Sequence, residues 1–69
     1  MTYGQKLRII RAMHGLTQDE VAQLTGIPRE VISGLENDHI APSEHYRRKI
    51  ESGLGWPTFA EQAFSLLAS

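Results

Sequence analysis

Hydrophobic positions along this chain recur at helical spacing in short blocks, with no strand-type alternation between them. In TYGQKLRIIRAMH, Tyr3, Leu7 and Ile10 stand at i, i+4 and i+7, one stripe of a helix that Met13 or Leu16 extends. Lys6, Arg8 and Arg11 fall off the stripe or at its edge, and Gly15 offers the left-handed residue that ends the helix. Thr17 then opens a second helix as its N-cap. Glu20, three residues on, completes a capping box, in which each residue's side chain accepts from the other's backbone N–H. Val21, Ala22 and Leu24 supply the buried side, and the small Ala22 admits a close neighbour. Gly26 ends this helix, and Ile27 turns inward.

Pro28 suits the first turn of a third helix, where its missing N–H costs nothing. In PREVISGLE, Ile32 and Leu35, with Ile27 before them, face one way. Arg29, Glu30, Ser33 and Gly34 face the other, with Val31 and Asn37 near the rim. Both middle helices are too short to be stable alone, so they must fold against the first. The stretch NDHIAP is loop, with Ile40 an inward anchor. Ser43 caps a fourth helix, SEHYRRKIESGL, whose Tyr46, Ile50 and Leu54 recur every four residues. Gly53 within it costs about 1 kcal/mol relative to alanine, and Gly55 ends it. Trp56-Pro57 makes a corner, and Thr58 with Glu61 forms a second capping box. The last helix, about 58–67, carries Phe59, Ala60, Ala63, Phe64 and Leu67 on one face, widened by Leu66. There is no internal repeat and no low-complexity tract. The expected fold class is all-α: a compact bundle of five short helices forming one domain over residues 1–69.

Composition narrows this further. At 69 residues the chain is one small domain, and its 41 % apolar and 22 % charged content is that of a globular protein. With no cysteine, neither a disulfide nor a thiolate metal site can staple it, so packing and caps must. No apolar run approaches 18 residues and no basic-then-apolar leader begins the chain, so a soluble cytoplasmic protein, with no membrane partner, is expected. His14, His39 and His45 lack metal-ligand spacing, and there is no Gly-rich phosphate loop or plausible paired-carboxylate site. Neither catalysis, a cofactor nor a metal is therefore expected. The net charge of −1 neither favours nor excludes nucleic acid. Its distribution is more informative: Arg47, Arg48 and Lys49 are consecutive, and Arg29 opens the third helix.

Leu16 to Asn37, LTQDEVAQLTGIPREVISGLEN, resembles the helix-turn-helix of the lambda-repressor-like family, also called Cro/repressor or XRE type. The likeness rests on the Leu-Thr-Gln entry, the Ala in the first motif helix and the Gly-Ile turn. It continues through the Ile-Ser pair, the Leu-Glu-Asn ending, the preceding Leu-Arg-Ile-Ile-Arg and the Pro-Ser and Leu-Gly that bound the fourth helix. It covers about residues 3–56. Glu44, Arg47 and Arg48 stand where many relatives carry leucines, and Gly34 where others present a long polar side chain. The resemblance implies a helix-turn-helix over about 17–37. Gln18 would bond a phosphate and brace the reading helix, and Asn37 would contact the backbone just after it. Arg29, Glu30 and Gly34, with Ser33 beside them, would face the major groove. Arg11 and Glu36 would form a structural ion pair between the first and third helices.

A helix fits the major groove of B-DNA with its N-terminal residues at the base edges. Arg29 then suits the O6 and N7 of guanine, Glu30 the N4 of cytosine and Val31 a thymine methyl. Phosphate contacts from Gln18, Asn37 and the run Arg47, Arg48, Lys49 would set register rather than sequence; the run equally fits a solvated face. One such module covers too little DNA to be selective, and a two-fold dimer on two half-sites is the usual solution. The Phe59, Phe64, Leu67 stripe is first a core stripe, and what remains of Phe64, Leu66 and Leu67 is the dimerisation candidate. The chain is expected to be a transcriptional repressor of phage-like type, binding double-stranded DNA as a homodimer. The alternative is an antitoxin or adaptor, with the last helix against a protein partner.

Overall fold

A computed structural model describes residues 1–56 and 64–66. Its elements are α1 (Tyr3–Met13), α2 (Gln18–Thr25), α3 (Arg29–Glu36) and α4 (Glu44–Leu54), with helical backbone again at residues 64–66. The protein is all-α, as the periodicity predicts. None of the described helices is long and apolar enough to cross a membrane. The Thr58–Glu61 capping box, most of the last helix and Leu67 fall outside the described residues.

Three of the four helices start where the sequence supplies a side-chain cap. Thr2 caps α1 in a full capping box with Gln5, Thr17 does the same for α2 with Glu20, and the Ser43 hydroxyl accepts from the Tyr46 N–H to open α4. Such caps contribute about 1 kcal/mol each, which matters for helices of 8 to 11 residues. Gly15, Gly26 and Gly55 all adopt the left-handed conformation at the helix ends. Pro28 lies one residue earlier than a first-turn position, as the N-cap of α3.

The core draws on every helix: Leu7 and Ile10 of α1, Val21 of α2, Ile32 and Leu35 of α3 with Ile27 before them, and Ile50 and Leu54 of α4, joined by Phe64. Of the two residues that could extend the α1 stripe the structure uses one, and α2 departs from its expected buried side. Met13 is exposed, and Leu16 takes the inner place instead. Leu24 is 54 % exposed, while Thr25 is buried. Thr25 follows Val21 by four residues and shares its face, and α4 packs closely over it at Gly53. Burying a threonine requires partners for its hydroxyl, and it has them. Oγ1 donates to the Val21 carbonyl at 2.7 Å and accepts from the Ile27 N–H at 3.3 Å, which also fixes the turn between α2 and α3.

Gly53 has a packing role. A Cβ there would lie 3.0 Å from the Leu24 carbonyl oxygen and 3.0 Å from Thr25 Cγ2, so the missing side chain lets α4 lie close against α2. At the other end of the bundle, Tyr3 stacks on Trp56 at 5.2 Å, and Trp56 meets Phe64 edge-on at 6.4 Å. This aromatic column ties α1 to the chain beyond α4.

Candidate nucleic-acid interface

The α2–turn–α3 pair is fixed from three directions. The Thr17–Glu20 box sets the start of α2, with the Thr17 N–H donating to Glu20 Oε1 at 2.9 Å. Gly26, at φ +72°, reverses the chain, and Ile27 anchors the turn in the core. On α3, Ile32, Leu35 and Glu36 are buried, so the helix can rotate no further inward. Arg29 and Glu30 are left exposed, with Val31, Ser33 and Gly34 half-buried. The outward side is thus the face that the amphipathic pattern predicts.

Beneath that face lies a buried carboxylate. The side chain of Glu36 is 1 % exposed and accepts from Arg11 Nε at 2.6 Å and from Arg11 Nη2 at 3.0 Å, a two-point pair that links α3 to α1. Arg11 also donates to the Leu16 carbonyl at 2.9 Å. Its hydrogen bonds to Glu36 hold its guanidinium above the ordinary arginine value against the opposing effect of burial. Gln18, the first residue of α2, donates Nε2 to Glu36 Oε1 at 3.2 Å. One carboxylate therefore braces three helices. Arg11 and Glu36 meet as the resemblance implies, and Gln18, at the N-terminus of α2, reaches α3.

On the surface, the candidate residues are already engaged with one another. Arg29 Nε lies 3.3 Å from Asp19 Oδ1 across the two motif helices. Asn37 donates Nδ2 to the Ser33 carbonyl at 2.9 Å and accepts at Oδ1 from Arg8 Nη2 at 3.1 Å. Gly34 points outward but is covered by Ile40, whose Cδ1 lies 2.5 Å from where a Cβ would stand.

The cations of α4 do not form one track. Consecutive helical residues point about 100° apart, and the run divides accordingly. The Arg47 guanidinium lies 5.1 Å over the Tyr3 ring of α1. Arg48 donates to Glu44 at 2.7 Å. Together with Lys49 it borders a shallow groove shared with Leu24 and Thr25 of α2. In the last helix, Phe64 is spent on the core, while Leu66 is 78 % exposed.

Three features lie beyond the sequence reading. Arg8, read there only as an off-stripe cation, reaches Asn37 and stands 3.8 Å from Glu36. Its position three residues before Arg11 is the signal that it shares that side of α1. Ile40 covers Gly34, which no spacing rule reveals. Asp38 takes φ +59° at the end of α3, and one of its carboxylate oxygens accepts from the Thr2 hydroxyl at 3.2 Å, tying that end to the start of α1.

Compared with known proteins, residues 7–57 match the family model described as helix-turn-helix. No curated protein and no solved structure matches the chain.

Proposed function

The chain belongs to the lambda-repressor-like, XRE-type helix-turn-helix family, and from that premise we propose that it is a repressor that binds a palindromic operator as a homodimer, with α3 in the major groove. One observation carries the reading. The matched segment folds into two short helices whose buried side is held by Ile32, Leu35 and Glu36, leaving Arg29 and Glu30 exposed at the start of α3. Base edges meet that end of a reading helix in this docking geometry.

Arg29 then reads guanine, Glu30 faces cytosine N4 and Val31 meets a thymine methyl. Ser33 sits beside them. Gln18 and Asn37 contact phosphates on either side of the groove, and Arg8, bonded to Asn37, adds a positive charge there. Arg47, Arg48 and Lys49 act as separate charges, since they point in different directions. The exposed Leu66 lies on the dimer seam.

Selection of bound sites from random DNA tests the assignment. The expected product is an inverted repeat with half-site centres about 34–36 Å apart. Arg29→Ala relaxes preference at one position of each half-site, while loss of a phosphate contact weakens every sequence alike and shallows the salt dependence. Failure to retain any sequence above random DNA, including the chain's own upstream region, sinks the reading.

A second reading, an antitoxin or adaptor whose last helix contacts a protein, also draws on the exposed Leu66. A stoichiometric partner lost on Leu66→Lys, in a chain with no DNA affinity, distinguishes it.

A further inference from the structure

Gly34 occupies a prime place on the reading helix and has no side chain to use there. It lies four residues after Glu30 and three before Asn37, on the outward side of α3. The space above it is filled from elsewhere in the chain. After α3 the backbone doubles back, and the N–H groups of His39 and Ile40 both donate to the Gly34 carbonyl, at 2.8 and 3.1 Å. This brings Ile40 over the glycine, with Cδ1 and Cγ1 at 2.5 and 2.7 Å from the absent Cβ position. Any side chain at residue 34 would have to displace Ile40. The glycine is therefore the condition for the isoleucine's position.

We infer that Ile40 is a specificity-determining residue, reading the C5-methyl group of a thymine from the place that a residue-34 side chain would otherwise occupy. The inference rests on the proposed docking of α3 in the major groove. Ile40 is half-buried, so part of its side chain remains at the surface. Val31, three residues before Gly34 on α3, is also half-buried and apolar. Both pack in part against the core, and the portions left at the surface offer an apolar strip beside the polar Glu30. In the major groove, the thymine methyl is the apolar group that such a strip can meet. The arrangement turns an interior-type side chain from a loop into part of the reading surface.

The test places uracil for thymine, one position at a time, in the best site selected from random DNA. This removes the methyl and leaves the protein untouched. With the wild-type protein, one thymine per half-site, besides the one met by Val31, shows a loss of about fourfold on its replacement, the size expected for one buried methyl. In Ile40→Ala that loss disappears while the preference governed by Arg29 persists; in Ile40→Val it is retained in part. Gly34→Ala, which pushes Ile40 aside, also abolishes it. If no thymine is sensitive, or Ile40→Ala keeps the same uracil penalty as wild type, Ile40 has no reading role. Equal weakening on all sequences, with lower thermal stability, assigns it to packing alone. Selective binding without methyl sensitivity overturns only this inference, whereas absence of any selective binding overturns the docking reading with it.

Discussion

Arg29 and Asp19 form an ion pair between α3 and α2, with Nε 3.3 Å from Oδ1, so the arginine proposed to read guanine has a partner before DNA arrives. Both side chains are more than half exposed, at 61 % and 72 %. An exposed pair contributes about 0–1 kcal/mol, so exchanging it for guanine is inexpensive. Asp19→Asn should raise operator affinity about two- to fivefold at low salt, since it frees Arg29 and removes a negative charge near phosphate. The gain should shrink as salt screens the charge. Fluorescence anisotropy titrations at several salt concentrations measure it. Lost selectivity at the Arg29-dependent base pair would instead mean that Asp19 orients the guanidinium.

The Arg11–Glu36 pair should respond asymmetrically to mutation. Arg11→Met leaves a carboxylate whose side chain is 1 % exposed without its two-point partner, and should cost about 3 kcal/mol. Glu36→Leu should cost less. The Arg11 side chain is 22 % exposed, still donates to the Leu16 carbonyl and can reach water. The double variant should recover most of the loss, because an apolar pair of similar volume replaces a buried ionic one at little net cost. Urea unfolding of the four proteins closes the cycle; a simple sum of the two single losses would mean that the residues do not act as a unit.

Helix starts, turn glycines and the inner face of α3 were legible in the sequence because each follows from local chemistry. A threonine with a partner three residues on, a glycine after the last helical residue and an i, i+3, i+4 stripe are rules of one segment. The same rule was available at Thr2 and Gln5. What sequence did not reveal are contacts set by tertiary approach. Leu24 is exposed and Thr25 buried because α4 packs closely over Thr25 and the Thr25 hydroxyl finds partners there. Ile40 meets Gly34 only once the loop has folded back. The division of Arg47, Arg48 and Lys49 depends on the neighbours of α4. The resemblance located the Arg11–Glu36 pair, and the structure adds that Gln18 joins it.

The Thr17–Glu20 capping box should make stability depend on pH through one exposed group. Glu20 is held below the ordinary carboxylate range, first by the Thr17 backbone N–H and then by its hydroxyl. A depressed value in the folded state means that the stabilisation is fully present above the ordinary value and is lost as the pH falls through the folded one. Glu20→Gln should therefore melt below wild type at neutral pH, and the gap should close on acidification below the usual carboxylate range. Thermal melts of both proteins across that range test it. A gap that stays constant to the lowest pH at which both fold would assign the difference to side-chain geometry rather than charge.

Two helical glycines should respond differently to alanine. At Gly4, an added Cβ would run into the backbone carbonyl oxygen of Leu35 and come within 2.8 Å of Asp38 Oδ1. The Leu35 carbonyl belongs to α3, so α1 and α3 would have to separate. Overpacking of this kind costs about 1–3 kcal/mol, more than the gain in helix propensity, which is about 1 kcal/mol. Gly4→Ala should thus lower the melting temperature clearly. It should also weaken DNA binding through the displaced end of α3. At Gly53 the nearest atoms stand at 3.0 Å, one of them a Thr25 methyl, so a shift of a few tenths of an ångström suffices. There the propensity gain offsets most of the strain, and Gly53→Ala should lie within about 1 kcal/mol of wild type. Urea denaturation of the two variants decides this. Equal losses at both sites would mean that α4 packs against α2 as unyieldingly as α1 packs against α3.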